Sequence, residues 1–158
     1  MEKKRSIKLK FNPSSNTIYF LTLCCKERVD YFGTIDNDKM LLNESGKIAS
    51  DTIKWLTKEF PYIVLHNHVV MPNHIHLLIE IAPLTEQLSK STLKIKSVSQ
   101  LIKIFKTTAA KQIHLTGNTD FQWQRSFYNH AVSSEVSYDS VYSNISNNAQ
   151  KWDEDSLK

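Results

Sequence analysis

Apolar residues change their spacing several times along this chain, and each change marks a segment with its own backbone requirement. Asn16 to Cys25 (NTIYFLTLCC) is β-branched and aromatic with both alternating faces apolar, which predicts a central strand covered on two sides. Asn43 is a good helix N-cap. Behind it Ile48, Ala49, Thr52, Ile53, Leu56 and Phe60 recur at helical spacing until Pro61 ends the run. Residues 61–81 (PYIVLHNHVVMPNHIHLLIEI) hold two strand-like runs around Met71, Pro72 and Asn73, where Pro and Asn suit a tight turn, so a β-hairpin is predicted. In its second strand Ile75, Leu77, Ile79 and Ile81 share one face, while His74, His76, Leu78 and Glu80 share the other.

A polar connector over 83–96 leads to a second helix. Ser97 and Gln100 form its capping box, Val98, Leu101, Ile102, Phe105, Ala109 and Ile113 its apolar stripe, and Gly117 lies past its end. Residues 121–132 (FQWQRSFYNHAV) read as a fourth strand with its lead-in. A last helix from near Ser134 carries Tyr138, Val141, Ile145 and Trp152 along one side. The order β, α, β, β, α, β, α predicts an α+β fold: a ferredoxin-like split βαβ, with an antiparallel sheet and helices on one face, plus a C-terminal helix. A single domain over 1–158 is expected.

Composition removes several classes. With 158 residues, 41% hydrophobic and 10% aromatic, and only three Gly and four Pro, the chain is built to bury a core rather than to stay disordered. No apolar stretch approaches the ~20 residues of a membrane span, and no apolar run follows the basic first ten residues as a secretory signal requires. Cys24 and Cys25 are adjacent, a poor structural staple, which points to a reducing, cytoplasmic setting. Twenty Lys and Arg against sixteen Asp and Glu give a net charge of +4, mildly favouring a polyanionic partner.

Four of the six histidines fall within eleven residues: His66, His68, His74 and His76. On a strand, residues i and i+2 point the same way about 6–7 Å apart, so His74 and His76 are able to offer two imidazoles to one ion. His66 and His68 lie across the predicted hairpin, where they could orient that pair or add ligands. A zinc finger is disfavoured, because no second cysteine pair exists. Two imidazoles with an oxygen ligand and open positions suit Mg²⁺ or Mn²⁺ when a substrate brings phosphate oxygens.

The string VVMPNHIHLLIE resembles the His-hydrophobe-His signature of single-tyrosine HUH transposases, in particular the branch associated with repetitive extragenic palindromes. YFLTLCCKERVDYFG, LIKIFKTTAAKQI, WQRSFYNHAV and NISNNAQKWDED are similar to that family's other blocks, in its order, and the likeness spans about residues 16–155. It implies single-stranded DNA nicking and strand transfer at DNA hairpins, often by a homodimer, with Mg²⁺ or Mn²⁺ polarising the scissile phosphate. A helix tyrosine attacks, leaving a 5′-phosphotyrosine. A phenol of pKa ~10 is a weak nucleophile, so the ion must stabilise the charge of the transition state.

By the same resemblance His74, His76 and Asn148 are the expected metal ligands. The family's nucleophile belongs to a Tyr-Ile-x-x-Asn-Pro tail, and in register that tyrosine's slot holds Asn144 and the proline's slot Ala149. Strict register therefore predicts no cleavage, and the alternative to the strand-transfer reading is a catalytically silent DNA-hairpin-binding descendant. If cleavage survives, the candidate nucleophile is Tyr142, about 200° around the helix from Asn144. Tyr138 and Tyr128 also read as packing residues. Lys103, Lys106 and Lys111, with Lys90, Lys94 and Lys96, cluster around the second helix, and Arg125 sits by Trp123. Cations with aromatic rings suit single-stranded DNA, the charge following phosphates and the rings stacking on bases.

Overall fold

The structure is a computed structural model and describes residues 17–82 and 95–158. The proposed start of the first strand at Asn16, most of the polar connector, and Lys90 and Lys94 lie outside the described residues.

Four antiparallel strands form the main sheet: β1 (Ile18–Cys24), β4 (Ile63–Met71), β5 (His74–Ile81) and β6 (Tyr128–Val132), in the order β4-β5-β1-β6. The first strand is central, as its two apolar faces require. Leu21 and Leu23 meet α1 (Glu44–Glu59) and α2 (Val98–Leu115) in one core with Ala49, Ile53, Leu56, Leu101, Phe105 and Ile113. Ile18 and Phe20 point the other way, into a smaller core with Leu78, Val132, Tyr138 and Ile145 under α3 (Glu135–Ser146). The fold is the α+β arrangement with its C-terminal helix, and α3 covers the face opposite the other two helices.

The helix starts are chemical. Asn43 Oδ1 accepts from the Gly46 N–H at 2.9 Å, and the reciprocal Ser97–Gln100 capping box opens α2. Gly46 is there for space: a Cβ would come within 2.2 Å of the Phe32 carbonyl oxygen, on which the first turn of α1 rests.

Four expectations change. Residues 33–42 form an additional hairpin, β2 (Gly33–Asp36) with β3 (Lys39–Leu42), whose two turn residues Asn37 and Asp38 both adopt positive φ (53° and 62°). Asn and Asp tolerate that conformation, and a two-residue hairpin turn needs it. The last strand begins only at Tyr128; residues 121–127 run as an irregular segment held by a Cys25–Trp123 bridge and the buried Phe121. The final helix stops at Ser146, so Trp152 belongs instead to a 3-10 turn over Ala149–Glu154.

The fourth change concerns His66 and His68. A β-bulge between Leu65 and Asn67 breaks the alternation of β4. His68 pairs with Leu77 of the larger core's face, while His66 turns to the α3 side. Neither joins His74 and His76. The bulge gives α3 its anchor: His66 Nδ1 lies 2.8 Å from the Tyr138 hydroxyl, and Asn67 Nδ2 donates to the Tyr142 carbonyl (3.1 Å) and Ser146 Oγ (3.0 Å).

Candidate metal and nucleic-acid site

Strand β5 carries His74 and His76 on the α3 side of the sheet, opposite Cys24 and Thr22 of β1. Their ring centroids are 4.7 Å apart, as adjacent same-face positions allow. His76 is oriented by Thr22, whose Oγ1 lies 2.9 Å from Nδ1. His74 is fully buried, and its Nδ1 lies 2.7 Å from Asn73 Oδ1. The Asn73 amide has only one possible orientation, because its Nδ2 donates to the carbonyls of Leu157 (2.7 Å) and Arg28 (3.4 Å). Asn73 Oδ1 must accept, so His74 Nδ1 carries the hydrogen. Burial pushes His74 down to about 4 and His76 to about 3, leaving both rings neutral at pH 7. The His74 Nε2 is then a bare lone pair.

Beyond α3 the chain brings back further polar groups. Asn148 opens the 3-10 turn and Asp155 closes it. His74 Nε2, Asn148 Oδ1 and Asp155 Oδ2 are all buried without a hydrogen-bond partner, and Nε2 stands 3.7 Å from Oδ2. The second Asp155 oxygen accepts the Leu157 N–H at 2.8 Å. Trp152 lies over His74 with ring centroids 6.2 Å apart and planes 27° from parallel. Among the described residues no three His, Cys, Asp or Glu side chains close into a ready metal cage. The donors that meet are mixed: imidazole nitrogen, amide oxygen and carboxylate oxygen. Such a set could hold a small divalent ion of the Mg²⁺ or Mn²⁺ type.

A cavity of about 300 Å³ opens beside these groups, lined among others by Phe20, His76, Asn144, Asn148, Lys151 and Asp155. The structure therefore brings Asn144 and Asn148 to the same cavity as His76, although the regular helix ends between them. Tyr142 is not among the lining residues; its ring packs 5.9 Å from that of Tyr138 in the smaller core. Tyr138 is buried, hydrogen-bonded to His66, and pushed up to about 12 by burial. Tyr128 stands opposite Thr22 on β6 and is 59% exposed, so it lies on the surface rather than in either core.

The basic residues surround a second concavity. Lys103, Lys106, Lys111 and Arg125 line a groove of about 830 Å³ with Trp123 and Phe127. Lys106 is committed to the protein: its Nζ donates to the carbonyls of Gln124 (2.8 Å) and Ser126 (3.1 Å) and sits 5.9 Å from the centroids of both Trp123 and Phe127. It braces the irregular segment, whereas Lys103, Lys111 and Arg125 are exposed. The Gln124 N–H bonds the Cys24 carbonyl at 2.8 Å, tying this segment to the end of β1 that faces His74.

Sequence reasoning missed Asp155, Asn73 and Thr22. Asp155 lay inside a quoted block, but nothing in its spacing to His74 announces proximity across eighty residues. Asn73 was legible only as a turn residue.

A profile of IS200-like transposases matches residues 13–148, and the chain belongs to that family. An uncharacterized protein of Haemophilus influenzae (strain ATCC 51907 / DSM 11121 / KW20 / Rd) is 34% identical over 166 residues, covering 98% of this chain and 92% of its own length. Among solved structures, a REP-associated tyrosine transposase bound to a REP hairpin superposes with a TM-score of 0.60 at 17% identity, over 96% of this chain and 74% of that one. A candidate transposase from Deinococcus radiodurans R1 gives 0.51 at 21% identity, over 93% and 97%. At those identities the two structures speak for the fold. No helix among the described residues is long and apolar enough to cross a membrane.

Proposed function

We propose that this protein binds hairpin DNA with a single-stranded flank, holds Mg²⁺ or Mn²⁺ through His74, His76 and Asn148, and lacks the nucleophile that would cut the strand. The observation that carries this reading is that Asn144, expected from the family's tail motif to occupy its tyrosine's slot, lines the cavity with His76 and Asn148. The bound ion would draw charge from a phosphate oxygen. The protein's own residues do the rest. His74 and His76 present neutral nitrogens, Thr22 and Asn73 fix their orientation, and the Asn144 amide can donate a hydrogen bond to phosphate but cannot form a covalent link.

Hairpin recognition is supported by family membership and by the hairpin-bound structural relative. Lys103, Lys111 and Arg125 supply exposed charge for the flank beside Trp123 and Phe127, and Lys106 keeps that wall in shape.

The rival reading, nicking and strand transfer through a 5′-phosphotyrosine, needs Tyr142 to leave its packing against Tyr138. Incubating 3′-labelled hairpin oligonucleotides with Mn²⁺ and resolving them under denaturing conditions separates the two. Wild type and Tyr142→Phe should bind without forming an adduct. Asn144→Tyr should form one, and should lose it when His74 and His76 are also replaced by Ala. A wild-type adduct that vanishes in Tyr142→Phe would overturn the silent reading in favour of strand transfer.

A further inference from the structure

The C-terminal turn brings a carboxylate to a place where nothing in the protein satisfies it. Asp155 is held from several sides. Its Oδ1 accepts the Leu157 N–H (2.8 Å), its own N–H donates to the Trp152 carbonyl (3.0 Å), and the following carbonyls of Ser156 and Leu157 are bound by Arg28 (3.1 Å) and Asn73 (2.7 Å). The remaining oxygen, Oδ2, is directed at His74 Nε2 (3.7 Å) within a side chain only 9% exposed. Asn148 Oδ1 shares this buried, unpartnered condition.

The Asn73 amide, fixed by its two backbone carbonyl partners, accepts from His74 Nδ1 and leaves Nε2 as the ring nitrogen that faces the turn. His74 Nε2, Asn148 Oδ1 and Asp155 Oδ2 are thus three buried polar atoms without a hydrogen-bond partner, and Nε2 and Oδ2 stand 3.7 Å apart. Lone pairs gathered away from water repel, and burying an unpaired carboxylate is costly, unless a cation lies between them. A carboxylate and an amide oxygen beside an imidazole are the donor chemistry of Mn²⁺ or Mg²⁺.

We propose that Asp155 is a ligand of the divalent ion, so that the C-terminal turn itself closes the metal site. This rests on the metal site inferred under Proposed function and adds a ligand to His74, His76 and Asn148. Asn148 and Asp155 bracket the 3-10 turn, so binding an ion to both would clamp residues 148–155 onto β5.

The test is a Mn²⁺ titration of the full chain by calorimetry, with and without hairpin DNA, on wild type, Asp155→Asn, Asp155→Ala and Asp153→Asn. Asp153 is the control: it loses the same charge nearby, but it is exposed and paired with Lys158 at 2.7 Å. Asp155→Asn keeps an oxygen for the Leu157 N–H and should preserve the fold. Mn²⁺ affinity should fall at least tenfold in both Asp155 variants and stay within twofold in Asp153→Asn. Hydrogen exchange gives a second readout, since Mn²⁺ should slow the amides of residues 149–157 in wild type and not in Asp155→Asn. Wild-type binding with Asp155→Asn within twofold of it would overturn the role of Asp155 while leaving the histidine site standing. Absence of Mn²⁺ binding by wild type under both conditions would overturn the metal reading and this one together.

Discussion

Two ends of the same sheet face are built from the same kinds of group and reach opposite conditions. At one end His66 sits between Glu80 and Tyr138, its Nε2 2.7 Å from the carboxylate and its Nδ1 2.8 Å from the hydroxyl. With Nε2–H donating to Glu80 and Tyr138 O–H donating to Nδ1, each group has a complement. At the other end His74 meets Asn148 and Asp155, and Nε2, Asn148 Oδ1 and Asp155 Oδ2 have no hydrogen-bond partner. Each end joins an imidazole on the hairpin to a carboxylate and to a residue from the C-terminal part of the chain. A buried polar cluster that is complete fastens a helix; one left incomplete keeps room for something the chain does not supply.

The comparison breaks first at the complete end. His66→Ala removes one buried and one half-buried hydrogen bond, so it should cost about 2 kcal/mol of stability in urea unfolding while leaving Mn²⁺ affinity of the folded protein within twofold. A loss below about 1 kcal/mol would mean the cluster does not fasten α3. At the incomplete end the pattern should invert. Asn148→Ala should lower Mn²⁺ affinity about tenfold, or about 1.4 kcal/mol, and change metal-free stability little, because it deletes a repelling lone pair.

Acid sharpens the contrast. His74 and His76 have folded values held by burial far below the usual 6.5, so the unfolded chain takes up protons first as pH falls. Their stabilising effect is present in full above 6.5 and is lost as pH drops toward 4. Going from pH 7 to 6 without metal should therefore remove about 1 kcal/mol, read as a lower Tm. A Tm constant over that range would mean that the two rings titrate in the folded protein as they do in the unfolded chain. The smallest effect belongs to the groove: Lys103→Ala or Lys111→Ala should each weaken hairpin binding by less than about 1 kcal/mol and flatten the log-affinity against log-salt slope by about 0.7–0.9. Lys106→Ala should instead lower stability, since its ammonium holds two carbonyls.

Much of this was legible along the chain because it is written in local chemistry. The faces of β5 followed from strict alternation, and the starts of α1 and α2 from the capping residues Asn43 and Ser97. The expectation that Asn144 occupies the tyrosine slot came from counting along the chain from Trp123 and back from Trp152. The Asn37–Asp38 hairpin was equally local, and its turn residues could have announced it.

Other features have no local signature. A bulge at His66 depends on how β4 pairs with β5, and one inserted residue reverses every face after it, which sent His66 and His68 to opposite sides of the sheet. The end of α3 at Ser146 and the return of the chain over His74 depend on contacts made from elsewhere, by Asn67, Asn73 and Arg28. Sequence determined which groups this protein has and which face of each element bears them. Only the tertiary structure decided that His74, Asn148 and Asp155 meet, because their proximity is set by long-range hydrogen bonds that no periodicity encodes.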